Sequence, residues 1–224
     1  MKIIIVIPAW NEARHLGGVI DDLLVYYSAK SIIVVDDCSS DETGQIARNK
    51  GVIVVPHLIN RGYGAALRTG TLAAIEQGAD IIVHFDGDGQ FLVSEIAEMV
   101  KPIQTGQSEV VLGSRFLTKI SDIPFFKKWF IQRPAILIHR LLLGLPLTDT
   151  HNGFKAFGRA AAIKIFPNLQ QERYAGATEV LQAIKQYHLV WAEVAVTVKY
   201  GEFGQGFGDG LKILKDLVWR FFIK

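Results

Sequence analysis

Residues 80–90 read Asp-Ile-Ile-Val-His-Phe-Asp-Gly-Asp-Gly-Gln. The apolar run Ile81 to Phe85 has the length and character of a buried strand, and it stops at two carboxylates. Asp86 and Asp88 are two apart, so continued strand geometry puts them on one face. The glycines between and after them let the backbone turn sharply or approach a ligand. Asp86, Asp88 and the amide oxygen of Gln90 are hard oxygen donors of the kind Mg²⁺ or Mn²⁺ prefers. The sequence therefore predicts a loop that holds a divalent cation, and through it a diphosphate. A solvated Asp-Gly turn is the competing reading. The loop's place at the C-terminal end of a central strand weighs against that, because open α/β sheets bind ligands there.

Outward from this strand the pattern repeats. Lys2 to Ile7 is a β-branched run ended by Pro8, and Asn11 is the expected cap of a helix reaching Tyr27. Ser31 to Val35 predicts a second strand, ending at Asp36-Asp37, and Ser39 to Asp41 offer caps for a helix through Lys50. Val52 to Val55, Asp80 to Phe85 and Glu109 to Leu112 complete the strands, with helices over 62–77 and 95–103. Strands and helices alternating at this spacing form right-handed βαβ units and a mostly parallel sheet. Pro8-Ala9-Trp10, Asp36-Asp37 and Asp86-Asp88 then share one sheet edge.

The second half is less regular. Phe125, Phe126, Trp129 and Phe130 stand among Lys119, Lys127, Lys128 and Arg133. Helices are expected over 134–143, 172–187 and 211–224, and an alternating strand over 190–198. The last helix groups Leu211, Leu214, Leu217, Val218, Phe221 and Phe222 on one side. That face suits packing on the domain or, with Trp219 and the nearby lysines, a membrane interface. The basic and aromatic residues of 125–133 suit anionic headgroups in the same way.

Composition narrows the function classes. The chain has 224 residues, 50% of them hydrophobic, and a net charge of +2. That charge gives no global field for nucleic acid. One cysteine, Cys38, excludes an internal disulfide and points to a reducing compartment. The apolar N-terminal run is too short for a signal peptide, and no run approaches the roughly 20 residues that cross a bilayer. A single domain is expected over 1–224, with a nucleotide-binding half (1–115) and an acceptor- and membrane-facing half (116–224).

Other motifs carry chemistry. Asn60-Arg61-Gly62-Tyr63-Gly64-Ala65-Ala66-Leu67 looks like a dinucleotide fingerprint, but its third glycine falls at Leu67 and it follows the third strand. A Gly-rich helix start near a phosphate, or a tight turn into a close-packed helix, remains. Asp37 is expected to meet a ribose or base, with Asp36 structural. Arg115 follows a strand end, where its fork suits phosphate or an acidic loop. Asp149 and His151 are candidate pocket residues.

Taken in order, IPAWNEARHL (7–16), VVDDCSSDETG (34–44), NRGYGAALRTG (60–70), HFDGDGQ (84–90), GSRF (113–116) and DTHNGFKAF (149–157) resemble inverting glycosyltransferases of family 2. The resemblance is strongest to the dolichol-phosphate mannose synthase and polyprenyl-phosphate glycosyltransferase branch. It implies the GT-A fold, a nucleotide-sugar donor (GDP- or UDP-linked) and a polyprenyl or dolichyl phosphate or other lipid acceptor. It implies that Pro8, Trp10, Glu12 and Asp37, with Gly62 nearby, hold the nucleotide, and that Asp86 and Gly87 touch the sugar nucleotide. Asp88 and Gln90 would coordinate Mg²⁺ or Mn²⁺, and Arg115 would meet phosphate. Arg133 and Lys199 are the candidates for the acceptor phosphate. Glu179 is the candidate base for a hydroxyl acceptor. The branch's Arg and Lys around a Tyr-Gly-Glu-Ser-Lys-like segment are out of register here, where the chain reads Val198-Lys199-Tyr200-Gly201-Glu202-Phe203-Gly204. The expected setting is peripheral, on the cytoplasmic face of a membrane. The alternatives are a hydroxyl acceptor, a sugar-nucleotide-forming nucleotidyltransferase and a non-catalytic nucleotide-binding protein.

Overall fold

The β-branched run that opens the chain becomes the middle of a sheet. Strand β1 (Ile3–Ala9) pairs in parallel with β2 (Ile32–Asp36) on one side and β4 (Ile81–His84) on the other. Beyond β2 lies β3 (Ile53–Pro56), also parallel. The computed structural model describes residues 1–117, 145–149, 152–169 and 175–199. The helices expected over 134–143 and 211–224, and the aromatic-basic stretch to Arg133, lie outside them.

The sheet continues through an unforeseen strand. β5 (Val110–Ser114) does not pair with β4; β6 (Lys155–Gly158) lies between them, antiparallel to both. β7 (Trp191–Ala195) runs parallel to β5 at the edge. The order is β3-β2-β1-β4-β6-β5-β7, a mostly parallel α/β sheet with one reversed strand inside it.

Period-two burial makes two cores from one sheet. Ile4 and Val6 of β1 join Ala66, Leu67 and Ala74 of α3 (Tyr63–Glu76), together with α5 (Arg159–Ile165) and α6 (Ala175–Gln186). Ile5 and Ile7 face the opposite core, with Leu16, Val19 and Ile20 of α1 (Leu16–Leu24) and Ile96 and Met99 of α4 (Ile96–Gln104). Each fully buried Ile contributes about 1.5–3 kcal/mol. The small residues of α3 bring it close to the sheet: a Cβ on Gly70 would lie 2.3 Å from Val6 Cγ1 and 2.9 Å from Val35 Cγ2.

Three boundaries differ from expectation. Pro8 does not end β1; it pairs in register with Val35. The β1–β4 ladder has stopped at Val6, whose carbonyl accepts from Phe85 N–H, so the N–H that Pro8 lacks falls where no strand needs it. Helix α1 starts at Leu16, not after Asn11, and α2 (Thr43–Asn49) starts after Glu42. The side chain of Asn11 is used elsewhere, as follows.

Candidate active site

β1, β2 and β4 deliver their following loops to one edge. The acidic loop 86–90 hangs between Phe85 and Phe91, which pack on Phe154 with ring centroids 5.3 and 5.1 Å away. Asp86 is partly buried and accepts a 2.8 Å hydrogen bond from the Tyr63 hydroxyl at the start of α3. Gly153 is pressed against this pair: a Cβ there would lie 2.3 Å from Asp86 Oδ2 and 2.9 Å from the Tyr63 oxygen. Burial first, and the neighbouring Asp88 second, push the Asp86 carboxyl up to about 6, against the pull of Tyr63 and Lys155. Burial also raises Asp88, whose Oδ1 accepts from Gln90 N–H at 2.9 Å. Glu12 is raised by burial and then by Asp88, Asp86 and Asp41.

Two loops are clasped to set Trp10 and Glu12. Asn11, at φ 56°, places Oδ1 where the backbone N–H and hydroxyl of Ser40 donate to it at 2.8 and 3.2 Å. In return Asn11 N–H donates to Ser39 Oγ, Glu12 N–H to Thr43 Oγ1 and Ala13 N–H to Asp41. Side chains of the second loop therefore occupy the amides of the first. Trp10 is left 55% exposed at the crevice, and Pro8 is buried beneath it in sequence.

Asp37 is only 3% exposed. Its oxygens accept from Arg61 N–H at 2.9 Å and Gly62 N–H at 2.6 Å, and His57 Nδ1 lies 2.7 Å from Oδ1. The Asp37 side chain is thus a brace for the loop that opens α3, and Gly62 is held by it. Asp36 accepts from Ser39 N–H at 3.0 Å, the structural role expected of it.

Arg115 follows β5 and grips Asp149 as a fork, Nε to Oδ2 at 2.6 Å and Nη2 to Oδ1 at 2.7 Å. Gly87 is buried at the base of the acidic loop. Lys199 is exposed, but its backbone N–H donates to the Gln90 carbonyl at 2.9 Å, which brings the chain after β7 beside that loop. Glu179 is partly buried on α6, one residue before Val180, which lines a small cavity. Arg133 and His151 lie outside the described residues.

That cavity contains residues to which sequence reasoning assigned no role. Tyr63, Leu67, His84, Lys155, Phe166, Leu169 and Val180 line it. Lys155 is buried, and its ammonium donates to the Asn152 carbonyl. Burial pulls it down to about 8, against the favourable fields of Asp86 and Asp149. His84 is buried beside it, 2.8 Å from Thr71 Oγ1, and burial lowers it to about 3. The one available signal was a Lys inside the apolar run Gly153 to Phe157.

The acidic group fits a divalent cation. Asp88 raises Asp86, and both raise Glu12, so a cation beside them would offset that repulsion. Among the described residues no three His, Cys, Asp or Glu side chains form a complete cage. An ion that takes part of its shell from a substrate phosphate needs only one or two carboxylates.

Comparison with known proteins gives the family. Residues 4–166 match the family model for glycosyl transferase family 2. The chain is 31% identical to a UDP-N-acetylglucosamine–dolichyl-phosphate N-acetylglucosaminyltransferase of Methanococcus voltae, over 97% of this chain and 94% of that protein. It is 35% identical to an uncharacterized protein of Methanocaldococcus jannaschii, covering 98% of this chain and 92% of that one. Among solved structures, the Mycobacterium tuberculosis glucosyl-3-phosphoglycerate synthase in complex with Mn²⁺, UDP and phosphoglyceric acid has a TM-score of 0.76 at 20% identity. It covers 100% of this chain and 79% of that one. At that identity the likeness speaks for the fold, which is GT-A. The chain belongs to glycosyl transferase family 2. It is a glycosyltransferase.

Proposed function

We propose that this enzyme moves a hexose, with inversion, from a UDP- or GDP-linked donor to a polyprenyl phosphate at a membrane surface. The observation that carries the reading is that one sheet edge gathers two charge sets, Asp86, Asp88 and Glu12 after β4 and β1 and the Arg115–Asp149 fork after β5, with Lys155 in the fields of Asp86, Asp149 and Arg115. The M. voltae relative and an undecaprenyl-phosphate mannosyltransferase of Micrococcus luteus, 29% identical over 70% of this chain, support the acceptor class.

Each residue then has a task. Pro8, Trp10 and Glu12 border the nucleotide, and Asp37 supports it through Arg61 and Gly62. Asp86, oriented by Tyr63, and Gly87 meet the sugar. Asp88 and Gln90 would hold Mg²⁺ or Mn²⁺, which when bound supplies positive charge to the departing diphosphate. Arg115 offers N–H donors to phosphate oxygens. A lipid phosphate is already anionic and needs little help from a base. A hydroxyl acceptor would need one, and Glu179 is its candidate. Arg133 and Lys199 would add charge for the acceptor. The reading places the enzyme peripherally, on the cytoplasmic face of the membrane that carries its lipid acceptor; no described helix is long and apolar enough to cross a membrane.

The test is a donor screen. Nucleoside diphosphate release is followed for UDP- and GDP-hexoses with Mn²⁺ and a short polyprenyl phosphate. Acceptor-dependent release with one donor supports the reading; release that ignores the lipid phosphate with every donor ends it.

A further inference from the structure

Arg115 is set in place by a chain of bonds that begins on the far edge of the sheet. Glu193 is the middle residue of β7, in register with Leu112 of β5. Its carboxylate accepts from Thr148 N–H at 2.9 and 3.1 Å, from the Thr148 hydroxyl at 3.0 Å and from Asp149 N–H at 3.2 Å. With its proton committed to Glu193, the Thr148 oxygen accepts from the Ser114 hydroxyl at 2.6 Å. Ser114 Oγ accepts in turn from Phe116 N–H at 3.2 Å. Asp149, 5% exposed, then takes Arg115 through Nε, Nη2 and the backbone N–H.

From this geometry we infer that Glu193 is a positioning residue for transfer, acting through Asp149 on the plane of the Arg115 guanidinium. The inference rests on the proposed reading of Arg115 as a phosphate contact. A bidentate fork fixes a guanidinium in orientation as well as in place. A fork is only as well placed as the carboxylate that holds it, and Asp149 sits on a short loop segment outside the sheet. Glu193 ties both amides of that segment, at 148 and 149, to a strand. Holding a partly buried carboxylate there has a cost, since burial raises its pKa. Bonds to a charged acceptor offset that cost and stiffen the loop more than neutral ones would. Its described bonds reach neither the 10–13 clasp nor the 86–90 loop, so its influence falls on the Arg115 side.

The test is a kinetic cycle on the full chain with Glu193→Gln, Arg115→Lys and the double variant, using the best donor of the screen and a short polyprenyl phosphate. Glu193→Gln is expected to lower kcat/KM for the polyprenyl phosphate about tenfold. KM for the donor should stay within about twofold, because donor and acceptor sides are separately held. In the Arg115→Lys background the same change should matter less than about twofold, the signature of acting through one another. Effects that multiply, or a donor KM that rises in step, overturn the inference. Should Glu193→Gln not fold, Thr148→Val removes the hydroxyl link and is read by the same criteria. A wild type inactive with every donor overturns the transferase reading beneath it. An active wild type matched by Glu193→Gln overturns this inference alone.

Discussion

The Tyr63 hydroxyl donates to Asp86 Oδ1 at 2.8 Å, joining the first residue of α3 to the loop that follows β4. The carboxylate proposed to touch the sugar nucleotide is therefore aimed by a helix from elsewhere in the chain. Tyr63→Phe keeps the ring and removes the donor. A hydrogen bond to a charged group is worth about 1.5–3 kcal/mol, so kcat should fall roughly ten- to a hundredfold. Steady-state kinetics with the preferred donor, beside a thermal melt that changes little, would check it.

Gly153 bears on the same carboxylate from the other side. Gly153→Ala sets a methyl group 2.3 Å from Asp86 Oδ2, and the carboxylate must leave its place. Overpacking costs about 1–3 kcal/mol of stability, against the roughly 5–15 kcal/mol typical of a folded domain. Activity should fall further, by about a hundredfold, because a displacement near 1 Å is enough for that. Circular dichroism should remain native; unchanged turnover would show that Asp86 does not need its position.

His84 gives the fold a pH dependence of known sign. Its folded pKa is about 3 against an ordinary 6.5. Between those values the unfolded chain binds the proton and the folded chain does not, so stability falls as pH is lowered through the window. From pH 7 to 5 this group alone should remove about 2 kcal/mol. Urea denaturation at both pH values would measure it, and His84→Gln should lose that much less on acidification.

The proposed metal role of the acidic loop predicts a response to chelation. Chelation with EDTA should abolish turnover, and Mn²⁺ or Mg²⁺ should restore it. Asp88→Asn should lower kcat by about a hundredfold or more and flatten the response to added Mn²⁺. A non-catalytic nucleotide-binding protein would keep its ligand binding through the same substitution, and a binding titration with UDP and GDP separates the two.

The readable parts of this chain are those whose cause is local. β1, β2, β4 and β5 announce themselves as β-branched runs, and Asp86 to Gln90 stand where a strand ends. Lys155–Gly158 does not read as a strand: it is four residues long, begins with a lysine and ends in a glycine. Its burial depends on groups distant in sequence, the Asn152 carbonyl and the fields of Asp86 and Asp149. Asn11 reads as a helix cap because the Ser40 it serves is 29 residues away. Tyr63 was hidden in the same way: the glycines around it suggested phosphate, while its own hydroxyl serves Asp86. Asp37 was legible as a crevice residue but not as the brace of the 61–62 loop.

The reversed strand has one more consequence. Because β6 runs against its neighbours, the chain leaves β5 at the rim and returns to the sheet at that same rim. Ser114 and Thr148 meet at 2.6 Å, and Arg115 and Asp149 close the junction beside them. The two ends of the segment that joins β5 to β6 are thereby held together at the sheet. A change of length or sequence between those ends should therefore leave the register of β4, β5 and β6 alone.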